Sequence, residues 1–347
     1  MDGNAPSRIT AAEGAGVTSP STLQRHFINR YQGGFPLCAR PFAAAAEVLE
    51  TSEAVLVEAV ALLLDSGLLT RFGPLFDANR LGGATTLAAM AVPKSRFDSV
   101  AQVINALPQV AHNYRREHRL NMWFIVASDR VEEIRTTLSR IEVMTGLRVY
   151  DFPKEREFYI GLWLHLDADG TIDTIPVPSQ AAPLTGIAEL DATDRRLVQA
   201  TQGGLPLAEE PYAIVARDLK LEPETVIARL ERMVASGVIR RIGAVPHHYR
   251  LGLRGNGMSV WDVDDDVIDK LGQQISELDF ISHCYQRPRH PRVWRYNLFA
   301  MAHGADRATV LGKTEQVAAL LGEHCRAHEV LFSTTVLKKT GLRLGAA

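Results

Sequence analysis

The hexapeptide QGGFPL at 32–37 returns as QGGLPL at 202–207, 170 residues further on, with five of six letters kept. Pro41 recurs as Pro211 at the same offset. DSGLLTRFGPLFDANRLG at 65–82 recurs in register as ASGVIRRIGAVPHHYRLG at 235–252, with seven of eighteen positions identical. HNYRR (112–116) then matches HCYQR (283–287) at offset 171, and NMWF (121–124) matches NLFA (297–300) at offset 176. The second copy therefore carries about five extra residues between these two segments. Solenoid repeats are much shorter than this, so the 347 residues read as one duplicated and fused unit.

Each copy shows the same layout. Apolar residues recur at three- and four-residue spacing over roughly 23–66 and 193–236. In the second copy Leu197, Ile214, Val215, Leu219, Val226, Leu230 and Met233 would line one core. ETVIARLERMVASGVI ends as a helix at Gly237 and runs on into a short strand, the order of a winged helix-turn-helix. ATTLAAMAV, a helix near 97–106, the strands QVAHNYRRE and LNMWFIVA, a helix near 130–144 and a strand near 147–152 follow. That β-α-β-β-α-β order is ferredoxin-like, and GMSVWDV through LFSTTVLKK repeats it. The fold class is therefore α+β, a tandem duplication of both modules. Its expected units are winged helices at 23–83 and 189–252, ferredoxin-like domains at 84–167 and 253–347, a disordered tail at 1–22 and a linker at 168–188.

Composition matters mainly through where the charge lies. Thirty-eight Lys+Arg against forty Asp+Glu, with 46% apolar residues, excludes a disordered chain, a collagen-like chain and a globally basic nucleic-acid coat. No apolar run reaches the roughly 18–20 residues needed to span a bilayer. Cys38, Cys284 and Cys325, an odd set without C-x-x-C spacing, fit reduced thiols in the cytoplasm. Between Glu47 and Asp65 the first copy has five acidic residues and no basic one. Residues 209–236 of the second hold six acidic and four basic ones. Affinity for DNA comes from neutralising phosphates, so DNA is not the expected partner.

The opposite bias marks HCYQRPRHPRVWRYNLFAMAH (283–303), with four arginines, three histidines and no carboxylate. Strand alternation puts His283, Tyr285 and Arg287 on one face, and His112, Tyr114 and Arg116 likewise in the first copy. Such groups are costly to desolvate unless paired, which points to a pocket for a polyanionic, partly aromatic ligand. Trp294, Tyr285 and Tyr296 would offer flat faces. In VPHHYRLG the pair His247-His248 follows Arg240 and Arg241, whereas the first copy has Asp77-Ala78 there. Imidazole can ligate iron or carry a proton near neutral pH. His324 and His328, four apart, read as a surface pair on a helix.

These motifs carry a resemblance. A winged helix followed by a ferredoxin-like unit, with ELDATDRRLV and TVIARLERMVASGVIRRIGAV, resembles the Lrp/AsnC regulators. TRFGPLFDANRLGG with HNYRREHRLNMWF, and IRRIGAVPHHYRLG with the 283–303 run and HEVLFSTTVLKKTGLR, resemble the two subunit types of the siroheme decarboxylases. The resemblance implies removal of two acetate carboxyls of siroheme as CO₂, giving 12,18-didecarboxysiroheme on the way to heme d1 or another heme. It implies no cofactor beyond the iron that the substrate carries, and siroheme and its products as ligands. Other tetrapyrrole enzymes and a homo-oligomer stay open as partners, while the two copies pair as an internal pseudo-dimer.

On that basis Arg287, Arg289, Arg292, Arg295, Lys338 and Lys339, with Arg240, Arg241 and Trp294, are the expected substrate-binding residues. His283 and Tyr285 are the expected proton donors, and His247 or His248 is a ligand to the substrate iron or a second acid. The first copy, with His112, Tyr114, Arg116 and His118, is expected to be vestigial or a second site. A transcription regulator and a tetrapyrrole sensor without turnover remain the alternatives.

Overall fold

The computed structural model describes residues 19–128, 130–175, 177 and 189–340. In the first copy, α1 (Thr22–Tyr31), α2 (Pro41–Val48) and α3 (Glu53–Asp65) lead into β1 (Leu69–Phe76). Then come β2 (Ala84–Met90), α4 (Phe97–Ala106), β3 (Val110–Arg116), β4 (Met122–Ser128), α5 (Val131–Thr145) and β5 (Val149–Pro153). Three short strands close this copy: β6 (Arg156–Ile160), β7 (Trp163–Leu166) and β8 (Ile172–Ile175).

The second copy runs α6 (Ala192–Thr201), α7 (Pro211–Leu219), α8 (Pro223–Ala235), β9 (Ile239–Pro246) and the single turn α9 (His248–Leu251). It ends with β10 (Gly255–Val263), α10 (Ile268–Ser276), β11 (Ile281–Gln286), β12 (Leu298–Gly304), α11 (Arg307–Leu321) and β13 (Cys325–Lys339).

Local chemistry explains the helix borders. Ser21 and Gln24 form a capping box on α1, and Asp191 and Asp194 form one on α6. The repeated Pro41 and Pro211 open α2 and α7, where a missing N–H costs nothing. Gly67 and Gly237, at φ 69° and 71°, end the third helices in the left-handed conformation that frees the chain to enter each wing. Ser21 and Thr22, expected in the tail, already belong to the first helix, and residues 1–18 of that tail lie outside the described residues.

Both helical domains share one core. Phe27, Phe35, Phe42 and Phe72 interlock, with Phe35 and Phe72 ring centroids 4.8 Å apart. Leu197, Val215, Leu219, Val226, Leu230 and Met233 join the same cluster, and the two wings β1 and β9 pair antiparallel across it. Ile214 is the one expected core residue left half-buried.

The ferredoxin-like halves form a single nine-stranded sheet, in the order β5-β2-β4-β3-β13-β10-β12-β11-β6. Its junction is β13, whose first half pairs with β10 and whose second half pairs with β3. Reciprocally, β6 leaves the first copy and pairs with β11 of the second. The two edge strands, β5 and β6, are consecutive in the chain, so the sheet folds back on itself. Helices cover its outside, and Trp123, Phe152, Trp294 and Phe299 fill the inside, with Phe152 and Phe299 centroids 5.9 Å apart.

Arg116 donates to the Leu331 carbonyl and Arg287 to the Phe152 carbonyl, so each copy clasps the last strand of the other's ferredoxin-like unit. The first ferredoxin-like unit therefore ends near 153 in its own sheet, short of the expected 167. The start of the expected linker is β8, paired with β7. That hairpin is held to α1 by Gln32 and Asn29 through the backbone of Leu164 and Leu166. The rest of the linker call, 176 and 178–188, lies outside the described residues. His324 and His328 are not on a helix: His324 closes a 3-10 turn, and His328 on β13 stacks on Trp261 at 4.6 Å.

Candidate functional site

The inner face of the sheet carries the polar residues. On β3, His112 Nδ1 and the Tyr114 hydroxyl lie 2.8 Å apart, and the Arg116 guanidinium lies over the Tyr114 ring. On β11, Tyr285 lies between His283 and Arg287, its ring 4.9 Å from the guanidinium carbon. A β-bulge precedes each histidine, between Val110 and His112 and between Ile281 and His283. A bulge re-aims consecutive side chains.

The two triplets have different surroundings. Arg240, beside His283, pairs with Asp77 at 2.7 Å and Glu157 at 3.4 Å, and Lys154 pairs with Glu157 at 2.7 Å. That end of the sheet is charge-compensated. The end around His112 is cationic: Lys339, its partner across the β3–β13 pair, also lies in the field of His247, His248 and His303. Among the described residues no carboxylate forms an ion pair with Lys339.

The His pair belongs to this cluster because α9 folds over the sheet. His247 caps α9 through Nδ1, which accepts from the Arg250 amide at 3.4 Å. His248 is buried, with its ring 5.1 Å from that of His303 and its Nε2 3.4 Å from Asn256 Nδ2. Asn256 also donates to the Tyr249 hydroxyl at 2.8 Å. The first-copy triplet, expected to be vestigial or a second site, lies beside the second copy's His pair. Chain extension through β13 makes that neighbourhood, and local sequence carries no signal for it.

Burial sets the protonation states. It depresses His112, His247 and His283 to about 4 and His303 to about 3, with neighbouring cations adding to the effect. His248 falls well below the usual histidine value for the same reason. Burial also raises the Tyr114, Tyr249 and Tyr285 hydroxyls and lowers Lys339. The cluster is therefore rich in neutral imidazoles, the form that ligates metal or accepts a proton. Among the described residues no three His, Cys, Asp or Glu side chains converge as a metal cage.

Other expected binding residues are engaged elsewhere. Arg289 pairs with Asp262 at 3.0 Å and Asp265 at 2.6 Å, and Arg295 with Asp262 at 2.8 Å. The basic run has no carboxylate of its own, yet β10 and the loop after it supply two. Asp262 is six residues from Asn256 along β10, about 20 Å at 3.4 Å per residue. Arg292 is exposed at the hairpin tip with φ 66°. Arg241 donates to the Gln32 and Ala244 carbonyls, and Lys338 to the Asn105 and Leu107 carbonyls at the end of α4. Trp294 is core, and His118 packs on it 3.6 Å from Glu329.

Sequence reasoning gave no role to His303, Ser282, Tyr249, Asn256, Glu157 or Lys154. For two of these the repeat held a signal: at offset 171 Ser282 replaces Ala111, and at offset 176 His303 replaces Ala127.

On the recognition helices, Arg229 is tied to Asp191 and Asp194 at 2.8 Å, and Arg232 also reaches Asp194. On α3, Val55 and Leu62 are exposed. Neither surface presents free cations to phosphate.

Fold and site together define a duplicated winged-helix protein whose second module is an AsnC-like ligand-binding domain. That domain family matches residues 80–159 and 250–338, and the siroheme decarboxylase NirDL-like HTH domain matches 24–69 and 194–240. The siroheme decarboxylase NirDL subunit of Paracoccus pantotrophus is 33% identical over 323 residues, covering 92% of this chain and 96% of its own. The NirH subunit from the same organism is 61% identical over 154 residues, 44% of this chain and 96% of its own. A crystal structure of the siroheme decarboxylase NirDL with an iron-uroporphyrin III analogue superposes with a TM-score of 0.66 at 28% identity, covering 93% of each chain. This chain belongs to the siroheme decarboxylase family.

Proposed function

We propose that this chain is a carboxy-lyase that removes the two acetate carboxyls of siroheme, giving 12,18-didecarboxysiroheme for heme d1 or a related heme. The observation that carries this reading is the composite cluster on the inner face of the sheet. Lys339 and the imidazoles of His112, His247, His248 and His303 meet there, and no described carboxylate opposes them. A substrate with eight carboxylates needs such a surface, and each charge-assisted hydrogen bond contributes on the order of 1.5–3 kcal/mol.

Lys339 holds a carboxylate of the substrate, and His247, the more accessible of the pair, faces the iron that the substrate brings. Loss of CO₂ leaves an electron pair on the acetate carbon, delocalised into the macrocycle, and one proton converts it to methyl. His248 and the hydrogen-bonded His112–Tyr114 pair are the donors nearest the cluster. Their imidazoles are neutral without ligand, and the arriving carboxylates raise their proton affinity, so binding itself arms them. His283 and Tyr285, beside Glu157 and Arg240, act from behind that cluster.

Anaerobic incubation with siroheme followed by mass spectrometry tests the reading. Loss of two CO₂ per molecule is the expected result. Tight binding with unchanged mass would leave a sensor, and a shifted DNA fragment with no tetrapyrrole binding would leave a regulator.

A further inference from the structure

Each decarboxylation consumes one proton at the acetate carbon, and two occur on one substrate in a buried site. Substrate binding arms the donor once; after that proton is spent on the first acetate carbon, a second has to arrive from outside while the macrocycle is bound. One hydrogen-bonded path leads inward. Ser282 Oγ lies 2.8 Å from His283 Nδ1 and 2.7 Å from His303 Nε2. The bulge at 281–283 makes this contact, because it turns Ser282 toward the same neighbours as His283. At the inner end His303 is 2% exposed, and its Nδ1 has no partner among the described residues. Its ring meets that of His248 at 5.1 Å. At the outer end His283 lies in the field of Glu157, Lys154 and Arg240, whose side chains are 17–30% exposed.

We infer that His283, Ser282 and His303 form a proton relay that reloads the donor side of the site between the two decarboxylations. This rests on the decarboxylase reading above. Ser282 Oγ also lies 3.5 Å from the Met301 carbonyl; the relay uses the arrangement in which its one hydrogen goes to a ring nitrogen and its oxygen accepts from the other. With His283 Nδ1–H donating to Ser282 and Ser282 donating to His303 Nε2, His303 carries its hydrogen on Nδ1, the nitrogen that has no partner among the described residues. A proton taken up at His283 Nε2 moves the Nδ1 hydrogen to Ser282 and the Ser282 hydrogen to His303 Nε2. The Nδ1 hydrogen of His303 is then the one released to the site, where the His248 ring lies 5.1 Å from that of His303. One proton enters, one leaves, and rotation of the hydroxyl and rings resets the path.

The first copy shows what the same fold has without this path. Ala78, Ala111 and Ala127 stand where the second copy has His248, Ser282 and His303. All three positions differ in the direction that removes proton-carrying groups.

The test compares Ser282→Ala with Ser282→Thr, which keeps the hydroxyl. In anaerobic single turnovers Ser282→Ala accumulates monodecarboxylated product, its second step slowed on the order of 10²-fold, the low end of a positioned acid's contribution. Iron-uroporphyrin binding by absorbance stays at the wild-type affinity, and Ser282→Thr restores the second step. Wild-type rates in Ser282→Ala would overturn the relay, as would equal loss of both steps together with binding. If the wild type itself does not turn siroheme over, the decarboxylase reading fails, and the relay is then read without substrate. ¹⁵N spectra of the histidines should show His303 protonated at Nδ1 and a tautomer shift at His283 and His303 in Ser282→Ala. Unchanged ¹⁵N shifts would overturn the relay.

Discussion

The two ends of the folded sheet descend from one ancestral unit, and they differ where side chains face inward. Around His283 two of the cations are paired with carboxylates: Arg240 has Asp77 and Glu157, and Lys154 has Glu157. Around His112 the cations have imidazoles for neighbours. The strand register makes the contrast sharp, since Lys339 stands opposite His112 where Ile160 stands opposite His283. The clasps Arg116–Leu331 and Arg287–Phe152 are the same at both ends. Duplication has kept what holds the copies together and changed what faces a ligand. Replacing a residue of the cationic end by its counterpart therefore asks what that difference does.

His248→Ala installs the counterpart Ala78 and should have the largest effect. With this proposed donor removed, kcat for siroheme falls by about 10²–10⁴-fold while the protein still binds the macrocycle. Unchanged kcat would remove His248 from the chemistry and leave the asymmetry without a catalytic meaning.

Lys339→Ile installs Ile160 and should act on binding. Losing one charge-assisted hydrogen bond of on the order of 1.5–3 kcal/mol weakens siroheme about 10- to 100-fold in an absorbance titration. A Kd within twofold of wild type would place the carboxylates elsewhere on the face.

The elements of both modules are legible in the sequence because each has a local cause: capping boxes at Ser21 and Asp191, prolines at 41 and 211, glycines at 67 and 237. The two triplets are legible too, since strand alternation puts them on a face. What joins the triplets is not. β13 continues past its own domain to pair with β3, and β6 crosses to β11; such register between distant strands has no local signature. Arg289 and Arg295 show the same limit from the other side. Their run lacks carboxylates, and the carboxylates that neutralise them come from Asp262 and Asp265, more than twenty residues upstream.

Stability should fall with acid, and the sign follows from the depressed imidazoles. His112, His247 and His283 titrate at about 4 in the folded chain and near 6.5 when unfolded. Between those values the unfolded chain binds more protons, so stability is lost as pH drops from about 6.5 toward 4. Each imidazole contributes on the order of 3 kcal/mol to that loss across the full range. Urea midpoints at pH 7, 6 and 5 measure it. His303→Ala, which copies Ala127, should flatten the slope, and a wild-type slope in that variant would mean His303 is already protonated in the folded chain.

Arg295→Ala should have the smallest effect on the ligand. In the sequence Arg295 is one of four arginines suited to a polyanion, and removing it ought to weaken siroheme as much as removing Lys339. In the structure its Nε is held by Asp262, its side chain is 57% exposed, and Asp262 lies far along β10 from the imidazole cluster. Arg295 is the solvent-exposed partner of this pair, so its loss costs about 0–1 kcal/mol, because Arg289 and Arg326 still face the buried Asp262 after the change. Siroheme affinity therefore stays within about twofold, and stability drops by no more than about 1 kcal/mol. A tenfold loss of affinity would mean that the hairpin gives up its carboxylates to meet the macrocycle. The polyanion surface would then extend across both ends of the sheet, and the contrast between them would hold only without ligand.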